Sequence, residues 1–322
     1  MVLFAISAVV TALLSPLVRA LLVKSGTLDI PNERSSHTIP VPRGGGIACA
    51  GGIATGFLVA HIRGEQVPWL GLVAVLALAT VGLIDDRRGL PAQLRLGAQL
   101  AVGAGLGFAV AGTTGVALGA LVVPIVVNAV NFMDGINAIT GLHIVVWGVV
   151  TAVAGALHGS SLLSLLGAVA AGSGFGFLPW NAPQARLFLG DVGSYLFGAF
   201  MSLGIVAASS EGIYAITAAA PLALYLADTG TALVRRAIRH ESLTTAHREH
   251  VYQRLVDDVG MSHMGVAVLT SGMSALVAAA WLSESAMIGL IATLIIAAAY
   301  LTSPAWAARW SAAWPVRDPR KS

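Results

Sequence analysis

Five aspartates carry most of the chemistry that this sequence can offer. Asp85 and Asp86 are adjacent in "GLIDDRRGL", where a long apolar run gives out. Asp134 stands in "NAVNFMDGIN", Asp191 in "RLFLGDVGS" and Asp228 in "PLALYLADTG". Side-by-side carboxylates repel and hold protons more tightly unless a cation compensates. Arg87 and Arg88 follow at once and could compensate; so could a divalent metal. Cys49 is the only cysteine, which excludes a thiolate metal site and a disulfide framework within the chain. Oxygen-only ligands suit Mg2+, with Mn2+ as an alternative. Mg2+ is commonly held by one or two carboxylates together with substrate phosphates. The acids therefore hint at a phosphate-bearing substrate.

Other residues fit that chemistry. Asn128, Asn131 and Asp134 recur every three residues and share a helical face, with Gly135 positioned to let the backbone turn. Asp191 lies between Gly190 and Gly193, with Ser194 next, at the start of an apolar run. The free N–H groups of a helix N-terminus attract phosphate, although Asp191 or Ser194 can also serve as an ordinary N-cap. "DIPNERSSHTIPVPRGGG" offers Arg34, His37 and Arg43, and arginine suits bidentate phosphate contact. "TTAHREHVYQRL" places His247 and His250 on one face beside Arg248 and Arg254. That arrangement suits proton transfer or phosphate binding; a solvated interfacial helix is the plainer alternative.

The elements that must position these residues are transmembrane helices. The chain has 322 residues, 57% hydrophobic and 10% charged, with a mean hydropathy of +0.83. A soluble domain usually carries about 25% charged residues. About eleven runs approach spanning length. They lie near 2–23, 45–61, 68–84, 97–112, 115–130, 139–157, 161–178, 193–208, 213–232, 264–282 and 286–302. The first is too long for a signal-peptide core and has no basic leader, so it reads as a retained span. With this arrangement 17 of the 18 Lys and Arg fall on one side, and only Arg63 falls opposite. The positive-inside rule makes that side cytoplasmic, with the N-terminus outside and the C-terminus inside. The expected fold is an all-α polytopic membrane protein. Residues 1–304 form one transmembrane catalytic domain and 305–322 a basic cytoplasmic tail. The long polar stretches and all five aspartates lie at or near the cytoplasmic edge. An aspartate at bilayer depth costs roughly 2.5–3.5 kcal/mol, so its placement there asks for a reason.

In order, "DIPNERSSHTIPVPRGGG", "GLIDDRRGLPAQLRLGAQ", "NAVNFMDGIN", "PWNAPQARLFLGDVGS" and "HREHVYQRL" resemble the motifs of the polyprenyl-phosphate N-acetylhexosamine-1-phosphate transferases. The number and direction of spans resemble the branch that starts lipid-linked surface glycans. The resemblance implies transfer of a sugar-1-phosphate, with an N-acetylated amino sugar expected, from a UDP-sugar to polyprenyl phosphate. Transfer would occur at the cytoplasmic face of the bacterial inner membrane and release UMP. It implies Mg2+ held by Asp191 with Asp86. Asp85, Asp86, Asp134, His247 and His250 would be catalytic, one of the paired acids deprotonating the lipid phosphate. Arg34, His37, Arg43, Asn128, Asn131, Asn137, Asn181, Gly190, Ser194 and Arg248 would bind substrate or phosphate. The expected partners are the polyprenyl phosphate lipid, the UDP-sugar and the membrane, with no nucleic acid; a homodimer stays open. Two departures are visible. Relatives often carry three clustered histidines where this chain has His-x-x-His, and many carry a second acid where it has Asn137. Both traits resemble the branch acting on UDP-linked deoxy-sugars and point away from a muramoyl-pentapeptide substrate. The sugar itself is left open.

Two other classes compete. A transporter of an anionic solute predicts ionisable residues at the midplane and broken helices. A nucleotide-alcohol phosphotransferase predicts several acids three or four apart on one span. The acids here lie at one edge and on different spans.

Overall fold

The computed structural model describes residues 1–31, 39–213, 215–242 and 248–313. Arg34, His37 and His247 lie outside the described residues. The chain runs through α1 (Val2–Lys24), a two-residue ribbon of β1 (Leu28–Asp29) and β2 (Val41–Pro42), α2 (Gly46–Ile62), α3 (Trp69–Arg88), α4 (Ala92–Ala111) and α5 (Gly115–Met133). It continues with α6 (Ile139–His158), α7 (Ser161–Asn181), α8 (Gly190–Ser210), α9 (Ala215–Ala219), α10 (Ala223–Ile238), α11 (Val251–Asp257), α12 (His263–Trp281) and α13 (Ala286–Ala313). The ribbon is antiparallel, with Leu28 opposite Pro42 and Asp29 opposite Val41. With a single parallel bridge between Arg43 and Phe188, it is the departure from an all-α expectation among the described residues.

An α-helix rises 1.5 Å per residue, so about 20 apolar residues cover a hydrocarbon core of about 30 Å. Nine stretches among the described residues are long and apolar enough to cross. One of them, Ala92–Met133, is a pair: α4 and α5 meet at the 3-10 turn Gly112–Thr114 and double back. Another, Ala215–Ile238, joins α9 to α10 through a 3-10 turn at Ala220–Leu222. The shorter apolar helix α2 has 17 residues. Ten of the eleven runs expected from hydropathy thus fall each on one helix, and the run 213–232 falls on α9 and the start of α10. The last helix continues past residue 304 to Ala313, beyond the expected start of the tail.

The helices divide by how much of them other helices cover. In α8, 94% of the spanning window is buried, against 33% in α1 and 17% in α13. So α8 is the central post. Its small residues allow close approach. A Cβ on Gly46 would lie 2.2 Å from the Gly193 Cα, and one on Gly82 would lie 2.3 Å from the Asp191 carbonyl oxygen. Both α2 and α3 therefore touch the first turn of α8 backbone to backbone. In membranes, where apolar side chains gain little by leaving lipid, such contacts supply packing energy. Trp147 is fully buried, its indole N–H donating to the Ala218 carbonyl (2.8 Å), so it braces the interior and does not sit at an interface.

Overpacking a tight contact costs about 1–3 kcal/mol. Gly82→Ala is expected to destabilise the protein by at least that much, seen as a lower thermal midpoint in detergent. Gly105→Ala, with open space around the new Cβ, should leave the midpoint unchanged.

Candidate functional site

The β2–α2 turn and the loop before α8 are stitched together. Phe188 N donates to the Pro42 carbonyl (2.8 Å), Gly44 N and Gly45 N donate to the Phe188 carbonyl (3.1 and 2.8 Å), and Gly46 N donates to the Leu189 carbonyl (2.9 Å). This brings Arg43 over the start of α8. The end of α3 arrives from another side with Asp86. Asp86 Oδ1 accepts from the Asp191 N–H (2.9 Å) and Oδ2 from the Val192 N–H (3.0 Å). Its side chain is fully enclosed. Two of the four orphan donors at the α8 N-terminus are thereby satisfied by a carboxylate 105 residues away, while the residue at the cap position, Leu189, offers none. The negative charge also faces the positive end of the helix dipole.

Arg43 bridges the two acids. Its Nε lies 2.7 Å from Asp86 Oδ1 and its Nη2 donates to Asp191 Oδ1 at 2.6 Å. Burial works against the guanidinium charge, but Asp191, Asp86 and Asp29 hold it protonated above the ordinary arginine range. Asn131, near the end of α5, donates from its amide to Asp191 Oδ1 (2.9 Å) and to the Ser194 hydroxyl (3.0 Å). Asp134, the residue after α5, feels Arg43, Asp191 and Asp86 electrostatically. Burial pushes its carboxyl up to about 7, with Thr140 and Arg43 pulling the other way. Asp191 is 16% exposed and Arg43 39%, so this cluster opens outward. Beside it lies a cavity of about 640 Å³ lined by residues 25–30 with Arg43, Asp86 and Arg87.

Asp85 faces elsewhere. Its Oδ1 accepts from the Leu90 N–H (2.7 Å), and its Oδ2 from the Tyr195 hydroxyl and Arg95 (both 3.2 Å). The adjacent acids are therefore not a pair, and their counter-charges are Arg43 and Arg95. Arg87 and Arg88, expected in that role, are exposed. The α8 N-terminus, expected to draw phosphate at Gly190, is filled by Asp86, with its oxygen 2.7 Å from where a Gly190 Cβ would stand. Asp86, expected to share a metal with Asp191, has three of its lone-pair directions engaged by Arg43 and the two α8 N–H groups.

Three asparagines serve as braces. Asn128 turns away from Asn131 and donates to Gln99 Oε1 and the Pro124 carbonyl (both 2.7 Å). Asn137 donates to the Pro183 carbonyl (3.0 Å). Asn181 accepts from the Ala138 N–H (2.7 Å) and donates to the Leu187 carbonyl (3.1 Å). The turn after Asp134 is made by Ala138, at φ +70°, not by Gly135. Gly135 is required for another reason: a Cβ there would sit 2.1 Å from the Tyr252 hydroxyl.

The histidine segment docks against that same turn. His250 is 3% exposed and begins α11, with Gln253 closing a capping box. Its ring stacks on Phe132 and Tyr252 (centroids 6.1 and 5.7 Å), and the Tyr252 hydroxyl donates to the Phe132 carbonyl (3.0 Å). Its Nδ1 lies 3.1 Å from Asp228, an acid absent from the expected site set although its place on a span marked it. Arg248 pairs with Asp257 (3.0 Å) beside a second cavity of about 310 Å³ lined also by Arg235, Arg239 and Arg254.

Among the described residues no group of three or more Asp, Glu, His or Cys is close enough to cage a metal. The donor set fits Mg2+ in its more open mode, in which one or two carboxylates share the ion with substrate phosphates. Asp191 Oδ2, which makes no bond among the described residues, and Asp134 are the available oxygens.

These features define a polytopic membrane protein with an acidic and basic cluster at one end of its helix bundle. Residues 68–209 match the family model for glycosyl transferase family 4. A decaprenyl-phosphate N-acetylglucosaminephosphotransferase of Mycolicibacterium smegmatis is 30% identical, with 82% of this chain and 76% of the relative aligned. A probable undecaprenyl-phosphate N-acetylglucosaminyl 1-phosphate transferase of Bacillus subtilis is 29% identical over 83% of this chain and 80% of the relative. An undecaprenyl-phosphate alpha-N-acetylglucosaminyl 1-phosphate transferase of Thermotoga maritima is 31% identical over 62% of this chain and 63% of the relative. The chain belongs to this family of polyprenyl-phosphate hexosamine-1-phosphate transferases.

Breaking a buried ion pair from one side costs about 3–5 kcal/mol. Asp86→Asn is expected to fall in that range, because one amide hydrogen must face the α8 N–H groups or Arg43. A fluorescence melt of the purified variant, against Asp191→Asn as a partly exposed comparison, measures the difference.

Proposed function

We propose that this protein transfers a sugar-1-phosphate, most simply that of an N-acetylated amino sugar, from a UDP-sugar to polyprenyl phosphate and releases UMP. The reading places the reaction at the cytoplasmic face of a bacterial inner membrane, as a first step of lipid-linked glycan synthesis. The observation that carries it is the gathering of Arg43, Asn131, Asp134 and Asp191 at one end of the bundle, in a chain of this family. That end is the one on which 17 of the 18 Lys and Arg fall when the spans alternate, and positive loops face the cytoplasm.

The chemistry joins two anions, so repulsion is the barrier to be lowered. Arg43 is a fixed positive charge with a planar fork suited to phosphate oxygens. Asn131 holds Asp191 from the other side and so fixes where that carboxylate points. Mg2+, held by Asp191 and Asp134, would neutralise phosphate charge and stabilise it at the transferring phosphorus. His250 stacks on Phe132, two residues before Asp134, and this reading assigns it to the sugar diphosphate. A polar head and an apolar tail on one acceptor explain why the cluster sits at a membrane edge. A homodimer is compatible with the exposed apolar faces, which lipid also covers.

Purified protein given undecaprenyl phosphate and a panel of UDP-sugars, with UDP-N-acetylglucosamine first, is expected to release UMP and form a lipid-linked product visible by mass spectrometry. EDTA should stop it, and Asp191→Asn should reduce it by at least about 100-fold, as for loss of a transition-state contact. UMP release that survives both would sink the assignment. Protons and metal compete for the Asp134 carboxylate, which holds its proton below about 7. Mg2+ should therefore bind more weakly at pH 6 than at pH 8 by calorimetry, and Asp134→Asn should flatten that dependence.

A further inference from the structure

The cavity of about 640 Å³ beside Arg43 brings together the segment after α1 and the last turn of α3. It is lined by residues 25–30 with Arg43, Asp86 and Arg87. Arg43 gives its Nε to Asp86 and its Nη2 to Asp191, which leaves Nη1 without a bond among the described residues. Arg87 is exposed and makes no hydrogen bond or ion pair among the described residues. Two guanidinium groups thus line one space with N–H donors to spare. Of the acids there, Asp86 spends its oxygens on Arg43 and the α8 N–H groups, and Asp29 of β1 is close enough to act on the Arg43 charge. Unspent guanidinium donors in a concave site suit phosphate oxygens.

The rest of the lining distinguishes between the two phosphate-bearing reactants. It holds no aromatic ring to stack on a base and no Asn or Gln to read a base edge. Its rim is apolar instead: Leu28 and Ile30 are exposed, as is Leu21 one turn before the end of α1. Lys24 and Arg88 end the two flanking helices at the same edge. One phosphate on an apolar chain matches that surface better than a nucleotide does. We infer that this cavity takes the phosphate of the polyprenyl acceptor, held between Arg43 and Arg87, with Leu28 and Ile30 against the first isoprene units. The inference rests on the proposed function for the identity of the acceptor. Arg43, bonded to Asp191, then joins this pocket to the metal end of the cluster. An oxygen of the acceptor phosphate bonds to the sugar-bearing phosphorus of the donor as the bond from that phosphorus to the bridging oxygen breaks, and UMP leaves with that oxygen.

Farnesyl phosphate, a short polyprenyl phosphate, is the probe, with the full chain in phosphatidylcholine nanodiscs. Arg87→Gln should weaken its binding by about 10-fold, the worth of a charge-assisted hydrogen bond, and raise the KM for undecaprenyl phosphate by a similar factor. Affinity for UMP should not change. Arg88→Gln, one residue on and outside the cavity, should leave farnesyl phosphate binding as it was. Unchanged farnesyl phosphate binding in Arg87→Gln overturns the inference. So does a loss of UMP binding, which gives the cavity to the donor, or an equal loss in Arg88→Gln, which marks a general charge effect. Inorganic phosphate competing as well as farnesyl phosphate marks a free-anion site and overturns it too. A farnesyl phosphate with a diazirine in its first isoprene unit needs no variant: light should attach it to residues 25–30, located by peptide mass spectrometry, and attachment only elsewhere sinks the assignment. If binding and labelling are as expected but the wild-type chain releases no UMP from any donor, the proposed function fails and the lipid-phosphate site stands.

Discussion

The placement of the site depends on one contact: the Asp86 carboxylate against the first N–H groups of α8. The most deeply buried helix of the bundle starts at a membrane edge, where water is scarce and an unsatisfied N–H is costly. Leu189 supplies no cap. Asp86 does so from α3, and Arg43 neutralises the charge that this brings into the interior. Meeting all three demands at once forces α3, the β2–α2 turn and α8 to converge, and only glycines at positions 46, 82 and 193 let the backbones come that close. The convergence in turn aims Asp191 outward, toward Asn131 and the open side of the cluster.

The acids at this end of the bundle consequently divide into two kinds. Asp85, Asp86 and Asp228 are enclosed and answer backbone N–H groups: Asp85 that of Leu90 in the adjoining turn, Asp86 those of Asp191 and Val192, and Asp228 that of Val251. Asp191 is partly open and has an oxygen to spare, and Asp134, though its carboxyl is buried, has neither carboxylate oxygen committed to a backbone N–H. A carboxylate is well suited to the first task, since it accepts from several donors at once and complements the start of a helix. The same anionic oxygens suit a cation or a proton in the second. One residue type thus builds the frame and equips it, and the cost of burying several acids near each other is offset by Arg43 and Arg95, each drawn from a different element.

Arg43 links the two kinds. It touches an enclosed acid with one nitrogen and a reachable acid with another, and more than a third of its side chain is open. A lysine has no second fork to offer and would choose one acid or the other. A cavity of about 640 Å³ lies beside this bridge, lined by Arg43, Asp86 and Arg87 with residues 25–30.

Composition and hydropathy by themselves determined that this is a helical membrane protein and roughly where its helices lie. Those are properties of consecutive residues, because a spanning helix satisfies its own backbone and needs only length and apolarity. The order of short polar motifs likewise marked the residues that would gather at one end. What the residues do to one another came only from the tertiary structure. Nothing near Asp86 in sequence shows that it caps a helix 105 residues away, that Arg43 rather than Arg87 or Arg88 answers it, that Asn128 turns aside to Gln99, or that Asp228 lies against His250. The physical reason is that hydrogen bonds and ion pairs between helices depend on azimuth, depth and the small residues that permit close approach, and these are fixed by packing partners distant in the chain.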